Sequence, residues 1–392
     1  MSLGAYIHIP YCLQRCTYCD FATYEHKKIL PPADYVALLR KEIRLRSSFF
    51  EPTALQTIYF GGGTPSLLEA PLIVSVIEEL ESCGFPLGPK AEVTIEINPA
   101  TINEEKLAIY LDGGINRFSV GAQTFDDSLL KSVNREHSAK QTLETLELLA
   151  KKGLNYSFDL LFALPGQKLS GLKKDLEIIS SLSASHISPY CLTVPSGHPL
   201  SKGRPPEEEQ VEMFNLIDQS LVSSEFVQYE ISNYAKLGFE SQHNLLYWTD
   251  QPWMSFGLSA HGYAKQQGPW GTRFWNLNNI QDYTTQIDSL TSNGKVIRNS
   301  LPEAQFEELT KAQSLTDFCH THLRLMRGLD LSDIENKYGP LCRQKVSERL
   351  QSSLDNGLLV KRENNRLSLS SQGIVLSNLV LERILFSDSE IN

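Results

Sequence analysis

Six short β-rich runs separated by helical patterns fill the first half of the chain: AYIHI (5–9), TIYF (57–60), EVTIEI (92–97), RFSVG (117–121), YSFDLLF (156–162) and HISPYCL (186–192). Between them, residues 34–46 open on Asp34 and put Tyr35, Leu38, Leu39 and Ile43 on one face. The helical pattern over 139–152 carries Leu143, Leu146 and Leu149 and stops at Gly153. Repeated strand–helix alternation predicts a parallel sheet, because each strand returns to the same end of the sheet through a crossover whose helix then covers one face. Strands this short and regular favour a full or partial (β/α)6 barrel over an open sheet. The fold class is therefore α/β, with function expected at the strand C-terminal ends.

After Pro205 and Pro206, a helix (207–222) and a strand-like QYEIS (228–232) lead into an aromatic, Gly-rich stretch, 233–276. Its irregular composition suggests loops that cover a site. The chain is accordingly divided into a barrel domain (1–232), a cap and linker segment (233–302) and a C-terminal domain (303–392). The last of these reads as helices, then the strand–turn–strand GLLVKRENNRLSLS, then a helix, an order resembling a winged helix. Acidic residues outnumber basic ones there, and in the whole chain by 46 to 36, for a formal charge of −10. That balance argues against nucleic acid as a partner, so the C-terminal domain is expected to pack or to hold a protein partner. No apolar stretch is long enough to span a membrane, and MSLGAYIHIP lacks the layout of a signal peptide, which makes the cytoplasm the expected location.

Seven cysteines, an odd number, argue against a disulfide framework, and three of them crowd together as Cys12, Cys16 and Cys19 directly after the first expected strand. Cys83, Cys191, Cys319 and Cys342 are scattered, as small buried hydrophobes usually are. Three thiolates in one short loop can take three corners of an iron–sulfur cubane and leave the fourth iron open to a further ligand. The alternative is a zinc site completed by His8 or His26, although zinc loops usually come as paired knuckles and no second pair exists here. After the second strand, Gly61-Gly62-Gly63-Thr64 is a stretch whose backbone can approach a ligand closely.

Cys12-x3-Cys16-x2-Cys19, preceded by YIHIPYC and followed by YCDF, resembles the radical S-adenosylmethionine superfamily, and within it the oxygen-independent coproporphyrinogen oxidase-like proteins, over nearly the whole chain. The resemblance implies a [4Fe-4S] cluster on the three cysteines, with S-adenosylmethionine on the open iron. An electron donor would then reduce the cluster, so that one electron cleaves S-adenosylmethionine to methionine and a 5′-deoxyadenosyl radical. It also implies that Gly61, Gly62, Gly63 and Thr64 contact the methionine moiety and that Glu96 in TIEINP binds the ribose hydroxyls. Gln123 in GAQTF, Arg135 in VNRE and Asp159 in FDLLFALPGQ complete the cofactor site, with Tyr6 and Tyr18 flanking the cluster.

Two activities share this family: oxidative decarboxylation of coproporphyrinogen III, and haem binding and delivery by haem chaperones. A radical enzyme acting on another substrate is a more distant third reading. The decarboxylases resemble Cys-x3-Cys-x2-Cys-x-Cys, where this chain has Phe21 in the last position, and they carry a longer arm before the first cysteine than the 11 residues here. His243-Asn244-Leu245-Leu246-Tyr247-Trp248 resembles the HNxxYW haem-binding motif of the chaperone branch, which implies His243 as an axial haem ligand with Tyr247 and Trp248 against the macrocycle. The implied partners are haem, acceptor haemoproteins such as respiratory ones, and the electron donor. His261 in GLSAHGY is expected to meet the cofactor through its backbone.

Overall fold

The structure, a computed structural model, describes residues 2–265, 268–289 and 305–391. All six expected strands form and lie side by side in chain order, every pair parallel. They are β1 (Gly4–Ile9), β2 (Leu55–Gly62), β3 (Leu87–Ile97), β4 (Arg117–Gln123), β5 (Asn155–Phe162) and β6 (His186–Cys191). The crossovers carry α1 (Pro32–Arg46), α2 (Ala70–Ser82), α3 (Glu104–Asp112), α4 (Asp127–Ser132), α5 (Ala139–Lys151) and α6 (Leu169–Ser181), and α7 (Glu207–Ser223) follows β6. α1 begins at Pro32, two residues before the expected Asp34, because proline lacks the N–H that a first turn leaves unpaired. α5 begins on a capping box between Ser138 and Gln141.

Side chains alternate between the faces of a strand, and here the alternation separates two chemistries. Ile7, Ile58, Ile95, Phe118, Val120 and Phe158 are fully buried in the hydrophobic core that the helices complete. On the opposite face the register aligns Tyr6, Tyr59, Thr94, Arg117 and Asn155, then, toward the strand C-termini, Glu96, Ser119, Ser157 and His186, and beyond these Asp159 beside Ser188. The second face is polar and forms the barrel lumen.

The stretch 233–276 carries short strands and a helix where its composition suggested loops. β7 (Val227–Glu230) and β8 (Asn233–Ala235) make a hairpin on β6, and α8 (Gln242–Trp248) follows. β9 (Trp253–Phe256) then pairs parallel with β1, and β10 (His261–Ala264), β11 (Thr272–Trp275) and β12 (Phe306–Glu308) continue antiparallel, giving a sheet of twelve strands among the described residues. These strands of three or four residues are too short to show a period, which is why they resemble loops in sequence. Residues 266–267 and 290–302 of the expected cap segment, and 303–304 of the next, lie outside the described residues.

α9 (Ile280–Ser289) packs near α1, and the C-terminal region is built from α10 (Lys311–Arg324), β13 (Leu329–Asp330), α11 (Leu331–Tyr338), α12 (Pro340–Asp355), β14 (Leu359–Arg362) and β15 (Arg366–Leu369). That helix–strand–helix–helix–strand–strand order is the one resembling a winged helix. Its hairpin turns on Asn364 and Asn365, both left-handed (φ 58° and 59°), as a tight turn between right-twisting strands requires. Leu315, Ile334, Val346, Leu350 and Leu367 anchor a hydrophobic cluster separate from that of the barrel. Among the described residues no helix is long and apolar enough to cross a membrane.

Candidate cofactor site at the barrel mouth

Cys12, Cys16 and Cys19 sit on the β1–α1 loop and all line one cavity of about 440 Å3 at the strand C-terminal ends. The loop returns through a two-residue ladder, Tyr11–Cys12 beside Tyr24–Glu25, and is tied to the end of α4 by Thr17 N–H donating to Val133 O at 3.2 Å and Asn134 Nδ2 to Arg15 O at 2.7 Å. Arg15 Nη2 donates to Cys19 O at 3.0 Å. All three thiols are free and partly exposed to the cavity. Burial holds the Cys12 thiol up at about 11, so iron has to displace its proton. Among the described residues no three His, Cys, Asp or Glu groups converge on a point that a single ion could fill. A cluster, whose separate irons take one thiolate each, needs no such convergence. His8 could not complete a zinc site either, because its Nε2 bonds Ala22 O at 2.9 Å and its Nδ1 bonds the Tyr6 hydroxyl at 3.1 Å.

The glycine stretch runs from the end of β2 along the cysteine loop. Gly62 is left-handed (φ 110°), and a Cβ there would stand 2.5 Å from the His8 ring. At Gly63 a Cβ would stand 2.6 Å from Tyr11 O and 2.9 Å from Ile9 O, while its N–H donates to Ile9 O at 2.8 Å. Gly62, Gly63 and Thr64 line the cavity, whereas Gly61 makes room for Tyr59 and Glu96 behind it.

Glu96, Gln123, Arg135 and Asp159 line the same cavity, as does Tyr18. Glu96 Oε1 accepts from the Tyr59 hydroxyl at 2.9 Å and Oε2 from Gly62 N–H at 3.2 Å. Burial first, then the neighbouring Asp159 charge, pushes the Glu96 carboxyl up to about 7, and burial pushes Asp159 up to about 6. Arg135 offsets both and also favours the Cys16 thiolate, and its Nε donates to the Tyr18 hydroxyl at 3.2 Å. Gln123 sits where β4 bulges, in a left-handed conformation (φ 68°) that non-glycine residues rarely hold. A cationic guanidinium, two carboxylates and glycine backbone around a thiol triad are chemically suited to a zwitterionic, hydroxyl-bearing ligand.

Other expected residues fall elsewhere. Tyr6 is not a lining residue; it stacks on Tyr59. His261 is exposed and stacks on Trp275. His243 lies at the opposite end of the barrel, beside Gly4 and Thr57 near the starts of β1 and β2. It is 1% exposed, with Nδ1 bonded to Thr57 Oγ1 at 2.6 Å and Nε2 to the Tyr247 hydroxyl at 2.7 Å. Burial, with the nearby Arg117 charge, holds the imidazole down at about 3, so it is neutral. In this conformation both ring nitrogens are bonded within the protein, and Tyr247 packs on Trp253.

Asn98, Ser119, Asn134, Tyr190, Cys191 and Thr193 also line the cavity. Cys191 is exposed rather than buried as expected, and its place at the end of the sixth strand was the available signal. Cys319 and Cys342 are fully buried.

Fold and site together define a protein of the radical SAM type, and residues 6–179 match the Radical SAM superfamily. The heme chaperone HemW of Bacillus subtilis is 33% identical over 390 residues, covering 97% of this chain and 99% of its own. That of Lactococcus lactis is 31% identical over 404 residues, covering 98% of each. Coproporphyrinogen III oxidase (HemN) from Escherichia coli, described as a radical SAM enzyme, superposes with a TM-score of 0.81 over 98% of this chain and 90% of its own, at 20% identity, a likeness of fold. The chain belongs to the radical SAM superfamily and, within it, to the family of the proteins named heme chaperone HemW.

Proposed function

We propose that this protein is a haem chaperone that binds haem, holds a [4Fe-4S] cluster with S-adenosylmethionine, and passes the haem to acceptor haemoproteins, respiratory ones among them. The observation that carries the proposal is full-length likeness to proteins named heme chaperone HemW, joined to an intact cavity at the barrel mouth. When bound, the cluster supplies one electron to S-adenosylmethionine, which requires an electron donor. Cys12, Cys16 and Cys19 hold it; Gly62, Gly63 and Thr64 present backbone to the methionine end, Glu96 accepts from the ribose hydroxyls, and Gln123, Arg135 and Asp159 close the site.

Haem binding through His243 requires α8 to leave the barrel base. Displacement frees an imidazole that is already neutral and therefore able to donate its lone pair to iron. Phe21, 64% exposed at the cavity mouth where the decarboxylases resemble a fourth cysteine, favours the chaperone over coproporphyrinogen III decarboxylation. Anaerobically reconstituted protein tests the proposal when given haem in one arm and coproporphyrinogen III in the other. A saturable Soret band without protoporphyrinogen IX is expected. Robust decarboxylation without haem binding would overturn it in favour of the oxidase.

A further inference from the structure

α8 is held from two sides. On its barrel side, Glu92 accepts from the backbone N–H groups of Gln242 and His243, both at 3.0 Å, and Thr57 bonds the His243 ring. On its outer side the contacts come from the C-terminal region. Arg324, the last residue of α10, lies with its guanidinium carbon 4.4 Å from the Trp248 ring centroid, and its Nη2 donates to the fully buried Glu230 Oε2 at 3.0 Å. Backbone bonds fix that placement: Ile231 N–H donates to Arg324 O at 3.1 Å and Met326 N–H to Tyr229 O at 3.0 Å. Two residues beyond α8, Asp250 is paired with Lys337 of α11 at 2.8 Å and with Lys265 at 2.8 Å. The Trp248 indole N–H is buried without a partner, so this side chain pays a desolvation penalty to stay where it is. The guanidinium stacked on its ring face opposes that tendency.

We propose that the C-terminal region is a latch that keeps α8 in the barrel base, with Arg324 and Lys337 as positioning residues. While the latch is closed, both His243 nitrogens stay occupied; when it shifts, α8 is released and the imidazole becomes available. The consequence for haem rests on the haem reading of His243, whereas the latch itself does not. It also gives the winged-helix-like region a task that its lack of excess positive charge leaves open.

The test is hydrogen exchange on the full-length protein, comparing wild type with Arg324→Lys, which keeps a charge beside Glu230 but loses the guanidinium over the Trp248 ring, and with Arg324→Lys combined with Lys337→Met. Amides of 245–249 are expected to exchange at least about tenfold faster in the double variant while those of β2 and β3 keep their protection. Apparent haem affinity should rise by the same factor, because it scales with the fraction of molecules whose site is open. Unchanged exchange at 245–249 overturns the latch, as does loss of protection spread equally over β2 and β3. Selectively faster exchange with unchanged haem affinity overturns the latch as a control on haem. Absence of haem binding by every form brings down the haem reading, and the exchange data then judge the latch alone.

Discussion

The ring of Tyr59 stacks on that of His243, with centroids 5.2 Å apart and planes 25° from parallel, while its hydroxyl donates to Glu96. One side chain thus touches both the carboxylate at the barrel mouth and the imidazole at the barrel base. Tyr59 joins the cofactor cavity at the barrel mouth to α8 at its base.

At the cluster loop, anaerobic reconstitution should give about four irons and four sulfides per chain, since three thiolates suit a site-differentiated cubane. Cys12→Ala, Cys16→Ala and Cys19→Ala should each lose that content and its visible absorbance. Cys342→Ala should keep both, because Cys342 is fully buried in the C-terminal cluster. Stoichiometric zinc in place of iron would contradict the assignment.

Glu96 should make cofactor binding pH-dependent. Its carboxyl titrates near 7 in the folded protein, and hydroxyl donors bind the ionised form, so affinity for S-adenosylmethionine should rise about tenfold between pH 6 and pH 8. Glu96→Gln should flatten that rise and weaken binding at pH 8 by about 1–3 kcal/mol. Calorimetric titration across the range checks both effects.

The same shift carries a sign for stability. Between the ordinary carboxyl value of 4.5 and about 7, the folded protein holds more protons at Glu96 than the unfolded chain does. Asp159 acts alike between 3.8 and about 6. Both contributions therefore favour the fold below these windows and are lost as pH rises through them. Cofactor-free Glu96→Gln should accordingly show a smaller drop in melting temperature from pH 5 to pH 8 than wild type. A drop of equal size would rule Glu96 out as its source.

Gly62→Ala should destabilise the fold by about 1–3 kcal/mol, since it forces a left-handed alanine and a clash with the His8 ring. Cofactor affinity should fall with it, because Gly62 N–H also orients Glu96. Denaturant unfolding and the titration above measure the two losses. Gly153→Ala, with open space around its Cβ, would cost only its own left-handed strain and should leave binding intact.

At the barrel base, Thr57→Val keeps the shape but removes the partner of His243 Nδ1. A buried ring nitrogen left unsatisfied should cost about 1–3 kcal/mol of stability. If α8 must open for haem, the same change should strengthen haem binding, and His243→Ala should shift or abolish the Soret band. An unchanged band in His243→Ala would place the haem ligand elsewhere.

Much of this was legible in the chain. The six parallel strands are there as local runs of β-branched and aromatic residues, each followed by a helical period, and both signals act within a dozen residues. The cysteine triplet, Glu96 and Gln123 could be placed at one mouth, because each lies at or just beyond a strand end and parallel strands share an end; Arg135 follows α4 and Asp159 lies within β5, so only the family resemblance put them there. Cys191 occupies the same kind of position, yet a single scattered cysteine carries no local mark that separates a cavity wall from a core. Strands β9 to β12 escaped notice because three or four residues show no period.

Sequence alone determined the parity of each strand: which residues face the helices and which face the lumen follows from a period of two that no packing can alter without a register slip. It could not determine what closes the lumen at its other end. His243, Tyr247 and Trp248 sit close enough in sequence to suggest a ligand motif, but a histidine can hold a metal only if a lone pair is free, and here its two ring nitrogens are taken by Thr57, far along the chain, and by Tyr247, which one turn of α8 brings to it. Burial and hydrogen-bond occupancy are sums over neighbours that only the folded chain assembles, so the tertiary structure decided that this imidazole is held shut at the base of the barrel.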